Sequence, residues 1–593
     1  MSDDQTNVRP QAATPAGRRP GSARRTALLA AAVLLPTVCL VAGAAYWLHG
    51  DGEKSPTGGT SRESGPDGQA LFHGWPTPDF ALVLTAQQHG YLLPCGCSNP
   101  QKGGLERRYN FVEFLRKERG WPVVAYDLGD VPQKKGPADL PNVQGLIKYR
   151  YAMEAMKRIG YAAVSFGEYE ASYPLNDAID EYALNNDKPA VLGTNLQKKA
   201  ALFPDGGEAH KGPEWGGSYV GSWQVTPVTK DLKVGALGII DTHNPGAVNA
   251  LVAKGMLPAG VNIPPSVGGQ ITALDQKIKF DRADDSLTAA VAAMEAKKPD
   301  FRVLLYQGPL ELAKVMPKFY PQQFQVIVCL SEEDEPPGAP VVVDGTFIVR
   351  LGHKGKNIGV VGVKRTGNAA KPFDLRYQLV TMGEEWMTPK GKDNPIVGLL
   401  ESYTKELKAN DYLKEYEKRK VPHEIQAAIK GIPALAGKET HYIGSEACGK
   451  CHKSEYKIWE HTPHAEACQT LVKATNPSLR QYDPECIVCH TVGFRYQTGF
   501  ANTAATPKLK DVGCESCHGP SSAHANDKNN ADIHRLINPW KAQPKETGDQ
   551  KKARLLRIET MCRKCHDDEN DVHWHELGPK WEKIVHPMPE DER

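Results

Sequence analysis

The sequence of 593 residues has almost no excess charge of either sign, since 72 lysines and arginines face 70 aspartates and glutamates. This balance argues against a nucleic-acid partner or a strongly anionic one. The chain is too long for a single hydrophobic core, so we expect two or three domains. Residues 441–593 have few apolar runs. They cannot build an ordinary core, and something other than apolar side chains must fill that part of the molecule.

Charged residues are absent from residues 26–48, and several arginines precede this stretch. A helix of this length could cross a bilayer, and the positive-inside rule then makes residues 1–25 a cytoplasmic basic tail. We therefore predict a transmembrane anchor and a single-pass cell-membrane location, with the main domains on the periplasmic side. The alternative is an export signal peptide, cleaved after the small residues 42–44. Residues 49–78 are rich in Gly, Ser, Pro and Thr, which is typical of a flexible linker.

Short apolar runs alternate with amphipathic stretches in residues 79–366. This alternation predicts an α/β domain with helices on the faces of a sheet. Residues 367–440 differ, because a charged amphipathic pattern over residues 395–420 predicts a long helix, and we expect a helical connector there. The expected strands are 81–85, 122–127, 162–166, 234–240, 301–305, 326–328 and 340–343, and the expected helices of the α/β domain are 105–119 and 147–159.

Cysteine is concentrated near the C-terminus, where eight of the 13 cysteines form four copies of Cys-x-x-Cys-His. Two thiols at this spacing form thioether bonds to one haem, and the following histidine ligates its iron. We therefore predict four covalently bound haem c groups, which would replace the missing apolar core. The predicted attachment residues are Cys448, Cys451, Cys486, Cys489, Cys514, Cys517, Cys562 and Cys565, and the proximal ligands are His452, His490, His518 and His566.

Structural zinc and disulfides also use paired cysteines, but neither requires a histidine directly after each pair. The second axial position of each iron needs a further ligand. Residues 441–593 contain only two methionines, Met561 and Met588, but many histidines besides the four proximal ones. This imbalance favours bis-histidine ligation, and hence relatively low reduction potentials, over Met/His ligation.

The four motifs and their surroundings resemble the cytochrome c-554 family. The similar stretches are 448–471, 483–494, 512–520 and 562–566. The resemblance implies a mainly α, haem-filled domain at residues 441–593, with three bis-histidine haems and one haem that has an open position. By motif, the resemblance makes His464, His524 and His586 the distal ligands, although His461 is a second histidine near the first of them. It makes the His490 haem the five-coordinate one.

Residues 79–366 resemble a different family, the calcineurin-like metallophosphoesterases, nearest their 5′-nucleotidase branch. The similar stretches are 103–107, 127–130, 155–160, 193–195 and 350–359. The resemblance implies a four-layer α/β sandwich whose activity depends on two metal ions. Most of the implied ligands are replaced, since Gln87 stands where the family has Asp, Tyr306 where it has His, and residues 167–170 and 329–334 lack the expected histidines. Only His89 and Asp130 remain, so we expect a pseudoenzyme domain.

Cys95-Gly-Cys97 follows His89 in a loop that contains Gly and Pro. Cysteines this close rarely pair with each other, because the geometry is strained. They could be plain loop thiols or form disulfides with Cys329 or Cys468. They could also bridge to a partner, hold a metal with His89, or touch a haem edge.

Three functions are compatible with these patterns. The first, favoured here, is an exported electron carrier with unknown redox partner proteins, in which the phosphoesterase-like domain is a scaffold or docking module. The second is a haem oxidoreductase that acts on a small nitrogen or sulfur compound at a five-coordinate iron. The third is a metal-dependent phosphoesterase fused to a cytochrome.

Overall fold

Two β-sheets form the centre of the N-terminal half in the computed structural model, which describes residues 70–171, 188–197, 220–276 and 278–586. One sheet has the strand order β13-β12-β1-β2-β3-β4-β5 and the other β10-β11-β9-β8-β7-β6. The strands are β1 Phe80–Thr85, β2 Val123–Asp127, β3 Tyr161–Ser165, β4 Ala190–Leu192, β5 Val220–Gly221, β6 Trp223–Thr229, β7 Leu232–Ile240, β8 Phe301–Gln307, β9 Val326–Cys329, β10 Val341–Val343, β11 Thr346–Val349, β12 Asn357–Asn368 and β13 Lys371–Thr381.

The central strands run parallel, and antiparallel partners lie at the sheet edges. Strands β1 to β5 are parallel neighbours, whereas β12 and β13 are antiparallel additions. In the second sheet β7, β8, β9 and β11 are parallel, and β6 and β10 pair antiparallel with the outermost of them. Parallel strands need covered faces, which explains why their side chains are apolar on both sides.

Strand β1 shows how the layers are packed. Phe80, Leu82 and Leu84 point between the two sheets, whereas Ala81 and Val83 point to the helices outside the first sheet. Every residue of this strand is buried, as the two-residue period of a strand covered on both faces requires.

Helices cover the outer face of each sheet. Gly145–Ile159 and Pro395–Ala409 pack on the first sheet, and Ala283–Met294 packs on the second. This arrangement of helix, sheet, sheet and helix confirms the expected α/β sandwich. The other helices of this half are Leu105–Glu113, which a π-helical turn at Phe114–Glu118 continues, Glu168–Ala171, Pro245–Ala253, Val267–Leu274, Leu310–Ala313 and Met316–Phe319.

Two elements differ from the sequence expectation. Strands β12 and β13 form a hairpin that continues past residue 366, so residues 371–381 are strand and not connector. The helix expected over residues 395–420 is broken, because Asp411 takes a left-handed conformation with φ of 47° between Pro395–Ala409 and Tyr412–Glu417. The connector continues with the helix Glu424–Gly431.

The C-terminal region consists of short helices around small apolar clusters. This confirms the expected mainly α character. These helices are Ser445–Gly449, Lys453–Glu460, Ala467–Lys473, Pro484–His490, Cys514–His518, Ser522–Asn526, Ala531–Ile537, Gly548–Cys562 and Leu577–Trp581.

The expected single-pass membrane location requires a correction. In the ranges that the structure describes, no helix is both long enough and apolar enough to cross a bilayer. The transmembrane helix and the single-pass location expected from the sequence are therefore not supported. The segment on which it depended, residues 26–48, and the basic tail before it lie outside the described ranges.

Candidate functional site

Each Cys-x-x-Cys-His motif forms a single helical turn. The amide of His452 donates to the Cys448 carbonyl at 2.9 Å, and the amide of His566 donates to the Cys562 carbonyl at 3.0 Å. The other two motifs lie within the helices Pro484–His490 and Cys514–His518. Residues three and four apart share one face of a helix, so both thiols and the imidazole of a motif lie on the same side.

Three of the four histidines that the motifs predict as proximal ligands have a second histidine opposite them. The ring centroids of His452 and His524, of His464 and His566, and of His518 and His586 are each 6.0 Å apart. A metal–nitrogen bond is about 2.0 Å long and a ring centre lies about 1.1 Å beyond the nitrogen, so two imidazoles on one iron have centroids about 6 Å apart. The three pairs therefore fit bis-histidine ligation.

The fourth of them, His490, has no such counterpart among the residues that the structure describes. Within the described ranges no histidine ring lies in stacking or edge contact with it. The sequence offered His461 as a second histidine near the expected distal ligand His464. His461 is exposed, and its Nδ1 lies 2.9 Å from the Lys457 carbonyl. It faces none of the proximal histidines in a ring contact.

Hydrogen bonds at Nδ1 orient several of the rings. This nitrogen lies 2.6 Å from the Ala467 carbonyl in His490, 2.8 Å from the Ile537 carbonyl in His518 and 3.0 Å from the Asp571 carboxylate in His566. Metal-bound histidines commonly donate their second N–H to such acceptors, which leaves Nε2 for the metal. Asp571 could not be predicted from the sequence, because no local pattern connects it with the motif.

A cavity of about 2080 Å³ is lined by residues of the last three motifs and by His464. A pocket for one small molecule is usually about 300–1,000 Å³, so this space suits more than one large group. Burial lowers the pKa of His464, His490 and His518, and in His464 the nearby His566 adds to this effect. Neutral imidazole is the form that binds metal.

Interactions between cysteines of different motifs show which motifs are neighbours in the structure. The thiols of Cys448 and Cys514 are hydrogen-bonded, as are those of Cys489 and Cys565. Cys517 interacts electrostatically with Cys562 and Cys565. The motifs therefore follow one another in the spatial order second, fourth, third, first.

The second motif also faces the α/β domain. The Lys148 ammonium pairs with the Glu485 carboxylate, and both side chains are largely buried. Close by, the Gln144 amide donates to Asp483 at 2.9 Å and to the Tyr403 hydroxyl at 2.8 Å. These contacts fix the helix that carries Cys486, Cys489 and His490 against the α/β domain.

His89 and Asp130, the two metal ligands that the phosphoesterase resemblance leaves in place, have a different environment. The His89 ring stacks on Tyr169 with centroids 4.3 Å apart, and burial, aided by the charge of His353, lowers its pKa to about 3. Asp130 accepts a hydrogen bond from the Tyr169 amide at 2.9 Å. Glu170 accepts from three backbone amides, and burial raises its pKa to about 8. Nowhere in the described ranges do three or more His, Cys, Asp or Glu form a group that could hold a metal.

Comparison with known proteins connects the C-terminal region with one family. The family model "Cytochrome c554 and c-prime" matches residues 447–519. Cytochrome c-554 from Nitrosomonas europaea is 28% identical over 144 residues, which is 22% of this chain and 60% of that protein. The chain thus spans less than two thirds of the length of this relative. The region resembles the cytochrome c-554 family, as the sequence indicated, and this family implies covalently bound haem c.

The middle region is similar to solved phosphoesterase structures. The 5′-nucleotidase precursor from Thermus thermophilus has a TM-score of 0.39 and 18% identity, and the match covers 56% of this chain and 59% of that one. The calcineurin-like phosphoesterase YfkN from Bacillus subtilis has a TM-score of 0.40 and 13% identity, with 56% of this chain and 98% of that one covered. Both resemblances that the sequence suggested are thus found again.

Proposed function

We propose that this chain is a tetrahaem c-type cytochrome that moves electrons through a row of closely spaced haems. The observation that carries the proposal is the 6.0 Å separation of three histidine pairs, each of which includes one proximal histidine. The bound irons would cycle between the ferric and ferrous states, and the chain would supply axial ligands, orientation and exclusion of water. Redox partner proteins would deliver and remove the electrons.

The contacts between motifs support a path for these electrons. Because the sulfur atoms of the second and fourth motifs are neighbours, and those of the first and third are too, the groups attached there would lie edge to edge. The electrostatic interaction of Cys517 with Cys562 and Cys565 connects the two halves. Electrons would therefore pass along the order second, fourth, third, first, or the reverse.

The axial ligands follow from the same geometry. His464, His524 and His586 would be the distal ligands of the haems whose proximal ligands are His566, His452 and His518. The Asp571 carboxylate at Nδ1 of His566 would make that imidazole a stronger donor and lower the potential of its iron. The iron bound by His490 would be five-coordinate.

A redox titration followed by optical and EPR spectroscopy tests the proposal. We expect four haems per chain, three of them low-spin and one high-spin, because three histidine pairs are present and His490 has no counterpart in the described ranges. Carbon monoxide added to the reduced protein should bind one haem in four. Preparations without covalent haem would contradict the proposal. Four low-spin haems that bind no carbon monoxide would contradict the assignment of a five-coordinate iron to His490.

A second candidate function is reduction or oxidation of a small compound at the His490 iron. This function is favoured by the large cavity, which is lined by His490 and Arg480. Turnover of a small nitrogen or sulfur compound should then disappear when carbon monoxide occupies this iron. Electron transfer to a partner protein through the other haems would persist under the same conditions, which separates the two functions.

We propose that the phosphoesterase-like domain is catalytically inactive and serves as a scaffold for the second motif. The oxygens of Asp130 and Glu170 are engaged by backbone amides, and the Lys134 ammonium lies 5.1 Å from the Tyr169 ring centre, beside the remnant site. A dinuclear centre needs several anionic or imidazole ligands that are free to bind metal.

The purified protein should therefore hydrolyse neither nucleotides nor bis-(p-nitrophenyl) phosphate in the presence of Mn²⁺. The control is a His89→Ala, Asp130→Ala double variant, which should give the same background rate. Metal-dependent hydrolysis that this variant loses would show an active phosphoesterase.

A further inference from the structure

Two cysteines of the phosphoesterase-like domain line the haem cavity. Cys95 and Cys97 belong to a loop before the helix Leu105–Glu113, yet both are part of the cavity wall. Cys95 interacts electrostatically with Cys486, and Cys97 with both Cys486 and Cys489. The two thiols therefore lie beside the attachment point of the second motif, whose histidine has no distal counterpart in the described ranges.

The two thiols also contact each other. The Cys97 amide donates to Cys95 Sγ at 3.1 Å, and the Gln101 side chain donates to the same sulfur at 3.1 Å. The residue between them, Gly96, has φ of 74°, a conformation that L residues rarely adopt. The hydrogen bond from the Cys97 thiol, with that from Gln101, lowers the pKa of Cys95 to about 7.

The cytochrome domain holds this loop in place. The Ser98 hydroxyl donates to the Asn570 carbonyl at 3.1 Å and accepts from the Val572 amide at 3.0 Å. The Gln101 amide donates to the Glu569 carbonyl at 2.6 Å, and Arg480 donates to the Cys95 carbonyl. These contacts fix the two cysteines at the interface with the C-terminal region.

Other roles for the pair have less support. No disulfide joins cysteines in the described ranges, and the two possible disulfide partners, Cys329 and Cys468, are both buried. The Cys329 thiol lies 3.8 Å from the Val349 carbonyl inside the second sheet. A metal shared with His89 would need a third ligand, and the described residues offer no such group.

We propose that Cys95 and Cys97 form a dithiol–disulfide couple that exchanges electrons with the haems. The inference rests on the proposed function, since ferric haem is the oxidant. On oxidation the two thiols release two protons, the two sulfurs form one bond, and two ferric irons each accept one electron. Reduction reverses each change. Because a disulfide across a single residue is strained, it should be readily reduced.

Counting electrons in the holoprotein tests this inference. Protein oxidised with ferricyanide is titrated anaerobically with dithionite, and haem is counted independently from its absorbance. The wild type should take up two electrons per chain more than its haem content, because the disulfide is a two-electron couple. The Cys95→Ser, Cys97→Ser double variant should take up electrons equal to its haem content. The Cys329→Ala variant, which removes a buried thiol elsewhere, should keep the excess.

Alkylation of the wild type gives a second measurement that needs no variant. Iodoacetamide should label Cys95 and Cys97 in reduced protein and neither of them in protein oxidised with ferricyanide. Equal labelling in both states, or an electron count equal to the haem count in the wild type, would overturn the inference and leave the proposed function intact. A chain without covalent haem would be detected in the absorbance, and it would end the proposed function.

Discussion

We expect the His464→Ala variant to contain two high-spin haems per chain where the wild type contains one. His464 lies with its ring centroid 6.0 Å from that of His566, and among the described residues it is the one histidine in ring contact with His566. Loss of this ring would leave the iron bound by His566 with an open position. The EPR spectrum should then gain high-spin signal, and carbon monoxide should bind two haems in four.

The His464→Met variant should behave differently. A thioether can still ligate the iron, so the haem should stay low-spin, but Met/His ligation raises the reduction potential. We expect a rise on the order of 0.1 V, well within the range of about 0.8 V over which axial ligands tune haem iron. A potentiometric titration should show one of the four haem transitions displaced and the other three nearly unchanged.

His461 provides the matched control for both variants. It precedes His464 by three residues, but it is exposed, and its Nδ1 lies near the Lys457 carbonyl and the Glu460 carboxylate of the preceding helix. The His461→Ala variant should therefore keep the wild-type spin states and potentials. If His461→Ala gained the second high-spin haem and His464→Ala did not, the ligand assignment drawn from the geometry would be incorrect.

Much of the α/β domain could be predicted from the sequence, because its central strands are short, apolar and rich in β-branched residues. Strand β13 was missed for the opposite reason. Its residues are mostly half-exposed, and Lys371, Asp374 and Arg376 interrupt the apolar pattern, as is usual at a sheet edge. The break at Asp411 was missed because amphipathic periodicity continues on both sides of it.

The haem motifs could be recognised locally, since one spacing encodes both thioethers and the proximal ligand. The residues that contact these motifs from elsewhere in the chain could not be recognised in this way. Asp571 lies outside the motif and contacts Nδ1 of His566. Cys95 lies beside Cys486 only because the chain folds back over hundreds of residues. No periodicity or motif reports such contacts, so sequence alone left the role of Cys95 and Cys97 open.

The Lys148→Met variant should lose a large part of the stability of the interface between the two domains. Its ammonium pairs with Glu485 and donates to the Gln133 side-chain oxygen Oε1 at 2.5 Å, and the side chains of Lys148 and Glu485 are 13% and 12% exposed. Without Lys148, the Glu485 carboxylate would stay buried near Asp483, whose pKa burial already raises. Leaving one charge of a buried pair unpaired costs about 3–5 kcal/mol.

Urea unfolding followed by tryptophan fluorescence and by haem absorbance measures this loss, and we expect the midpoint to fall by about 1 M or more. The Lys148→Met, Glu485→Gln double variant should recover most of the loss, because it leaves no unpaired charge in the interface. Lys117→Met is the matched control, since Lys117 pairs with Glu113 on the surface, and its midpoint should match the wild type. Equal midpoints for Lys148→Met and Lys117→Met would mean that the pair does not hold the second haem motif against the α/β domain. Because Cys486, Cys489 and His490 closely follow Glu485, a supporting result would also include a changed spectrum of the high-spin haem in Lys148→Met before the chain unfolds.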